Sequence, residues 1–280
     1  MVKIGDVWDR TTEFLGDNLR TVLPIAILAL LIPTATANSL GELGQTAGQG
    51  LKVALAFLTL AFAILSLWAQ LAIASLAIDG VGARRATERL LPAIGVYLLV
   101  AIAGGIIVTA IVVPAMIASG VDLSQMRAGS ALRPFAAAPG VGLWLGLTLT
   151  AVMIGFLLLI VRLAPLSGLI LSERRGAGAI PRAFRLTRGL TWKLVGVVIL
   201  YAIVSIVAQW AAQGVFGSVL ALIAGGEGPV TLAGVLTGAI VAAVQTAFTV
   251  LAAAFTAKLY LACVAREKTA IGATSLSKPL

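Results

Sequence analysis

Six stretches of the chain, at about residues 21–39, 53–78, 90–118, 141–172, 193–224 and 230–265, are each long and apolar enough to cross a bilayer, a crossing that takes roughly 20 such residues. Of the 280 residues, 60% are hydrophobic and 11% charged, whereas soluble domains run about 45–50% apolar and about 25% charged. With a mean hydropathy of +1.07, the chain carries more continuous apolar sequence than a water-soluble core of this size could enclose. Lipid offers no hydrogen bonds to an open backbone, so the spans must be helices. The expected fold class is all-α, a polytopic transmembrane helical bundle of six spans with interfacial amphipathic helices.

The net charge of +9 would raise nucleic acid as a partner for a soluble protein, but here the basic residues punctuate the apolar runs. Lys3, Arg10 and Arg20 precede the first span; Arg84, Arg85 and Arg89 follow the second; Arg174, Arg175, Arg182, Arg185, Arg188 and Lys193 follow the fourth; Lys258, Arg266, Lys268 and Lys278 end the sixth. The alternate segments hold only Lys52, Arg127 and Arg133. The positive-inside rule then puts both termini in the cytoplasm, which requires an even number of spans. The divisions are an amphipathic helix at 1–20, a transmembrane domain at 21–265 and a cytoplasmic tail at 266–280. Asp6, Asp9, Glu13 and Asp17 interrupt the first twenty residues, a pattern unlike a cleavable signal peptide.

The inventory for chemistry is poor. There is no histidine and a single cysteine, Cys263, so neither a disulfide nor a cysteine-based metal cluster is expected. Carboxylates lie at the flanks of the spans, away from the acid–base or metal constellations that catalysis needs and from the intramembrane acids of proton-coupled pumps. No metal site, cofactor or enzymatic activity is expected. Gly41, Gly44, Gly48 and Gly50 lack the Lys-Ser/Thr ending of a phosphate-binding loop and suggest a flexible external turn.

Two segments outside the long runs are amphipathic at helical spacing. In the first, Ile4, Val7, Trp8, Thr11, Phe14, Leu15 and Leu19 fall opposite Asp6, Asp9, Arg10, Glu13 and Asp17, as in a helix lying along the membrane interface. In the second, residues 176–190, Ile180, Ala183, Phe184, Thr187 and Leu190 oppose Arg182, Arg185 and Arg188, with Pro181 suited to a first turn. Opposite charge suggests a cytoplasmic collar in which the acidic face meets this basic face or Arg84, Arg85 and Arg89. Arg174, Arg175, Arg182, Arg185 and Arg188 carry two readings: topology signal, or contacts to lipid headgroups or an acidic partner.

Within the spans, Arg162 is a charge well inside a long apolar run. It marks either an intramembrane site or, if residues 141–161 span alone, the headgroup level reached by snorkelling. Gln209, Gln213 and Gln245 could bond between the last two helices or line a polar path. Gly142 with Gly146, and Gly234, Gly238 and Ala242, have the spacing of close-packing faces. Pro24, Pro33, Pro92, Pro114 and Pro165 predict kinks. A weak repeat pairs a polar residue with a terminal acid in the even spans: Gln70 with Asp79, Arg162 with Glu173, Lys258 with Glu267. It suggests three helical hairpins. In the 119–140 loop, Leu123, Met126, Leu132 and Phe135 supply side chains for packing on the outer surface.

Residues 14–24 (FLGDNLRTVLP), 179–193 (AIPRAFRLTRGLTWK) and 258–267 (KLYLACVARE) resemble six-span bacterial proteins similar to the membrane domain of glycerophosphoryl diester phosphodiesterases, stand-alone copies included. The resemblance implies a bacterial inner-membrane bundle. Catalysis in the enzymes of that group belongs to an attached barrel with histidines and acidic metal ligands, which this chain lacks, so the activity does not carry over. The expectation is a non-enzymatic scaffold, assembly partner or lipid-organising component, with a pore or transporter subunit as the alternative. Membrane lipids are the expected partners, with another membrane protein or a second copy of the chain next, and no nucleic acid.

Overall fold

The computed structural model describes residues 4–46, 48–118, 141–173, 178–224 and 231–276. Nearly all of them are helical and none forms a strand, the outcome required where a backbone must satisfy its own polar groups. Six stretches, Ile4–Ser39, Gln49–Asp79, Ala83–Ile117, Gly146–Ser172, Thr191–Leu220 and Leu232–Thr269, are long and apolar enough to cross a membrane. The expected all-α bundle is therefore the observed architecture. The 119–140 loop lies outside the described residues.

The amphipathic segment and the first span form one unbroken helical rod. Helix α1 (Ile4–Ala26) passes through a π-helical turn at Ile27–Leu31 into α2 (Ile32–Thr46). Pro33 has no N–H to return to the carbonyl four residues back, and the wider turn, in which the Ile32 amide bonds the Ile27 carbonyl, absorbs the defect. Helix α2 takes in Gly41 and Gly44, so the turn expected at the glycines shrinks to the approach to α3 (Gln49–Asp79). Helix α4 is Ala83–Ala118 and keeps Pro92 and Pro114 within it.

Between α3 and α4 the chain reverses at Gly80 and Gly82, whose φ values of 74° and 68° lie in the left-handed region where a side chain would be strained. The buried Ser75 hydroxyl donates to the Gly82 carbonyl at 2.6 Å, and Arg85 ion-pairs with Asp79. The apolar run at 141–172 is broken by Pro165 into α5 (Val141–Leu163) and α6 (Leu166–Ser172). The 23 residues of α5 extend about 34 Å, enough to span alone. The second amphipathic segment is α7 (Ala179–Leu186), followed by the long α8 (Thr191–Ala224) and α9 (Leu232–Leu276).

Burial is concentrated at one end. In α3 the buried residues run from Ala69 to Ala77, with none earlier in the helix. Val7 and Phe14 of α1, Leu166 and Leu169 of α6, Ala183 and Leu186 of α7, and Leu259 and Tyr260 of α9 join the same core. At the far end, side chains such as Ile106, Leu143, Trp144 and Leu222 are exposed. Lipid is as apolar as these side chains, so they gain little from burial against protein.

Small residues permit the closest approaches. A Cβ on Gly238 would stand 3.7 Å from both Asn38 and Ser39, and Ala242 is fully buried, so that pair of positions is a contact face between α9 and α2. Gly146 has open space around it and is no such face. The tightest approach is at Gly168, where a Cβ would crowd into the Tyr260 side chain; Ala164, Gly168 and Ser172 share the four-residue spacing of small residues, a run not singled out above.

Candidate functional site

The polar residues gather at the well-packed end, and α7 supplies the centre. Its buried stripe, Ala179, Ala183 and Leu186, docks the helix against α5, α6 and α9, which turns Arg182 toward the ends of α6 and α9. There Arg182 makes two hydrogen bonds to the carboxylate of Glu267, at 2.6 and 2.5 Å, and its Nε reaches Glu173 at 3.4 Å. The Arg182 side chain is 19% exposed, so this fork-to-fork contact works in a partly water-depleted setting where such bonds are strong. The hydrogen bonds to Glu267 raise the Arg182 pKa above its ordinary value, burial pulls it down, and the fields of Glu173 and Glu267 raise it again.

These partners differ from the expected collar. Helix α1 packs on α9 and α3, whereas α7 packs on α5, α6 and α9, so the acidic face of α1 does not meet the arginines of α7. Asp6, Asp9, Glu13 and Asp17 make no ion pair among the described residues, and Arg84 pairs with Glu88 of its own helix at 3.3 Å. The signal for the true partners was the repeat: Glu173 and Glu267 are its terminal acids, and one arginine bridges them.

The other singled-out residues divide clearly. Arg185 and Arg188 are exposed beside the clasp, and the field of Arg185 also reaches Glu267. Arg174 and Arg175 lie outside the described residues. Arg162 stands over the Phe184 ring, 5.4 Å from its centroid, a cation–π contact that ties the last turn of α5 to α7. Gln245 donates to Gln209 at 2.9 Å, and Gln209 donates to Ser205 at 2.9 Å, an interhelical chain that joins α9 to α8. Gln213 is exposed and outside this chain. Among the described residues, no hydrogen bond joins the glutamines to Arg162.

Lys258 sits across α9 from the clasp. Its ammonium bonds the Ala77 carbonyl and lies 4.8 Å from the centroid of the Phe14 ring. Next to it a cleft of about 370 Å³ between α1 and α9 is lined by Arg10, Glu13, Phe14, Asp17, Asn18 and Lys258. Among the described residues no group of His, Cys, Asp or Glu could hold a metal ion. The arrangement can bind charge and hold helices in register.

Compared with known proteins, the chain matches no family model, no curated protein and no solved structure.

Proposed function

We propose that the protein is a non-enzymatic, lipid-organising scaffold of the bacterial inner membrane, with both termini in the cytoplasm. The observation that carries this reading is the division among the arginines of α7. Arg182 is neutralised by Glu173 and Glu267, whereas Arg185 and Arg188 are exposed at the end that the basic segments mark as cytoplasmic. Exposed guanidinium groups there meet headgroup phosphates in bidentate fashion.

A bridged arginine keeps its proton throughout the physiological range, so the clasp favours a fixed assembly over an acid–base centre. The glutamines bond each other, which supports helix packing over a polar path. Kinship with the membrane domain of glycerophosphoryl diester phosphodiesterases, without the catalytic barrel, is part of this reading. It rests on the sequence of residues 14–24, 179–193 and 258–267.

Gentle extraction of the tagged protein, with mass spectrometry of the co-purified lipids against an unrelated six-span protein, tests the proposal. Enrichment of anionic lipid is expected, and Arg185→Gln with Arg188→Gln should weaken it about thirtyfold, since each basic residue near an anionic surface contributes about 1 kcal/mol. An unchanged lipid profile in that variant would overturn the lipid-organising role. A stoichiometric protein partner would reassign the chain as an assembly subunit.

A further inference from the structure

We infer that the break between α5 and α6 forms a binding site for a small uncharged group that exchanges hydrogen bonds, such as a hydroxyl, ester or amide. A cleft of about 140 Å³ opens where α3, α4, α6 and α9 meet, and its polar lining is Gln70, Tyr97, Ser167 and Thr256. The cleft opens outward at Gln70, which is exposed and lies nine residues before the end of α3 at Asp79, about 13 Å along the helix.

Three observations point to a ligand. First, the Ser167 hydroxyl oxygen is buried and has no hydrogen-bond partner among the described residues, a costly condition unless something fills it. Second, neither the Gln70 amide nor the Tyr97 hydroxyl is bonded to a described residue, while Thr256 spends its proton on the Ala253 carbonyl of its own helix. The free groups are therefore donors and acceptors of both kinds. Third, the wall is a helix interruption: Ala164 and Pro165 leave the α-helical ladder between α5 and α6. Irregular backbone inside a membrane is tolerated where it lines a polar cavity.

The lining also sets the class of ligand. It contains no charged side chain, so an ion would enter unpaired at high cost. A neutral group can satisfy the hydroxyls and the amide together. The volume admits several waters or one group of a few heavy atoms. Such a group could arrive as part of a lipid, from the ester level of the bilayer, or as a free polyol from solution.

The test uses Ser167→Cys in a Cys263→Ala background, with Thr256→Cys as a second reporter because Thr256 bonds only its own helix. The probes are methyl methanethiosulfonate, which is neutral and small, and its anionic sulfonatoethyl analogue. The neutral reagent should modify the cleft thiols at least about tenfold faster than a thiol at Leu169, which is buried outside the cleft, as expected of a hydrated cavity, and the anionic reagent should react with none of the three.

Protection by added glycerol would identify a free polyol as occupant. Protection on transfer from ether-linked to ester-linked phosphatidylcholine vesicles would identify lipid. Equal reactivity at all three positions, preference for the anionic reagent, or labelling that neither glycerol nor ester lipid slows would overturn the inference.

Discussion

The Lys258 ammonium donates a 2.9 Å hydrogen bond to the Ala77 carbonyl, across 181 positions of sequence. Ala77 lies in the last turn of α3, where carbonyls have no partner further along the helix and carry the negative end of its dipole. One cation from α9 thus closes the end of α3 while covering the Phe14 ring of α1, joining three helices at one point.

Lys258→Met keeps the length of the side chain and removes its charge. The loss of a charge-assisted bond should lower stability by about 1.5–3 kcal/mol, read as a lower temperature of thermal aggregation in detergent. Lys258→Arg should recover part of the loss. Wild-type behaviour of the methionine variant would show that the cap contributes nothing.

Arg182→Gln removes the cation that bridges Glu173 and Glu267. Stability should fall by about 1–3 kcal/mol, and adding Glu267→Gln should restore part of it, because the residual cost is an unpaired, partly buried carboxylate. Glu88→Gln, which removes the exposed Arg84 pair, should change stability by no more than about 0.5 kcal/mol. Comparison of the three thermal shifts decides whether the clasp is special.

Gly168→Ala inserts a methyl group where the Tyr260 ring already stands. Overpacking of this kind costs about 1–3 kcal/mol, and Gly146→Ala, with open space around it, should cost nearly nothing. Equal melting temperatures for the two variants would contradict the close approach of α6 to α9.

Gln245→Leu breaks the bond to Gln209 between α9 and α8. Interhelical bonds inside bilayers average about 0.6 kcal/mol and reach about 1.7, so a small drop in stability is expected, and Gln213→Leu should leave it unchanged. A larger effect at Gln213 would mean that the polar chain runs elsewhere.

The sequence by itself determined the number of spans, their approximate limits and the amphipathic faces at Val7 to Phe14 and Ala179 to Leu186, because each depends on apolar length or period along a single helix. It also marked Glu173, Glu267, Lys258 and Gln245 as polar points. Which of them meet was decided by tertiary structure. Arg182 faces two glutamates and not the acids of α1 because α1 and α7 pack against different neighbours of α9. The Gly168 contact and the cleft beside Ser167 are likewise products of how α6 lies between α3, α4 and α9. In a chain so rich in small and apolar residues, pairing between helices depends on shape and on a few directional bonds, and a spacing such as Gly238 with Ala242 marks a contact face without specifying its partner.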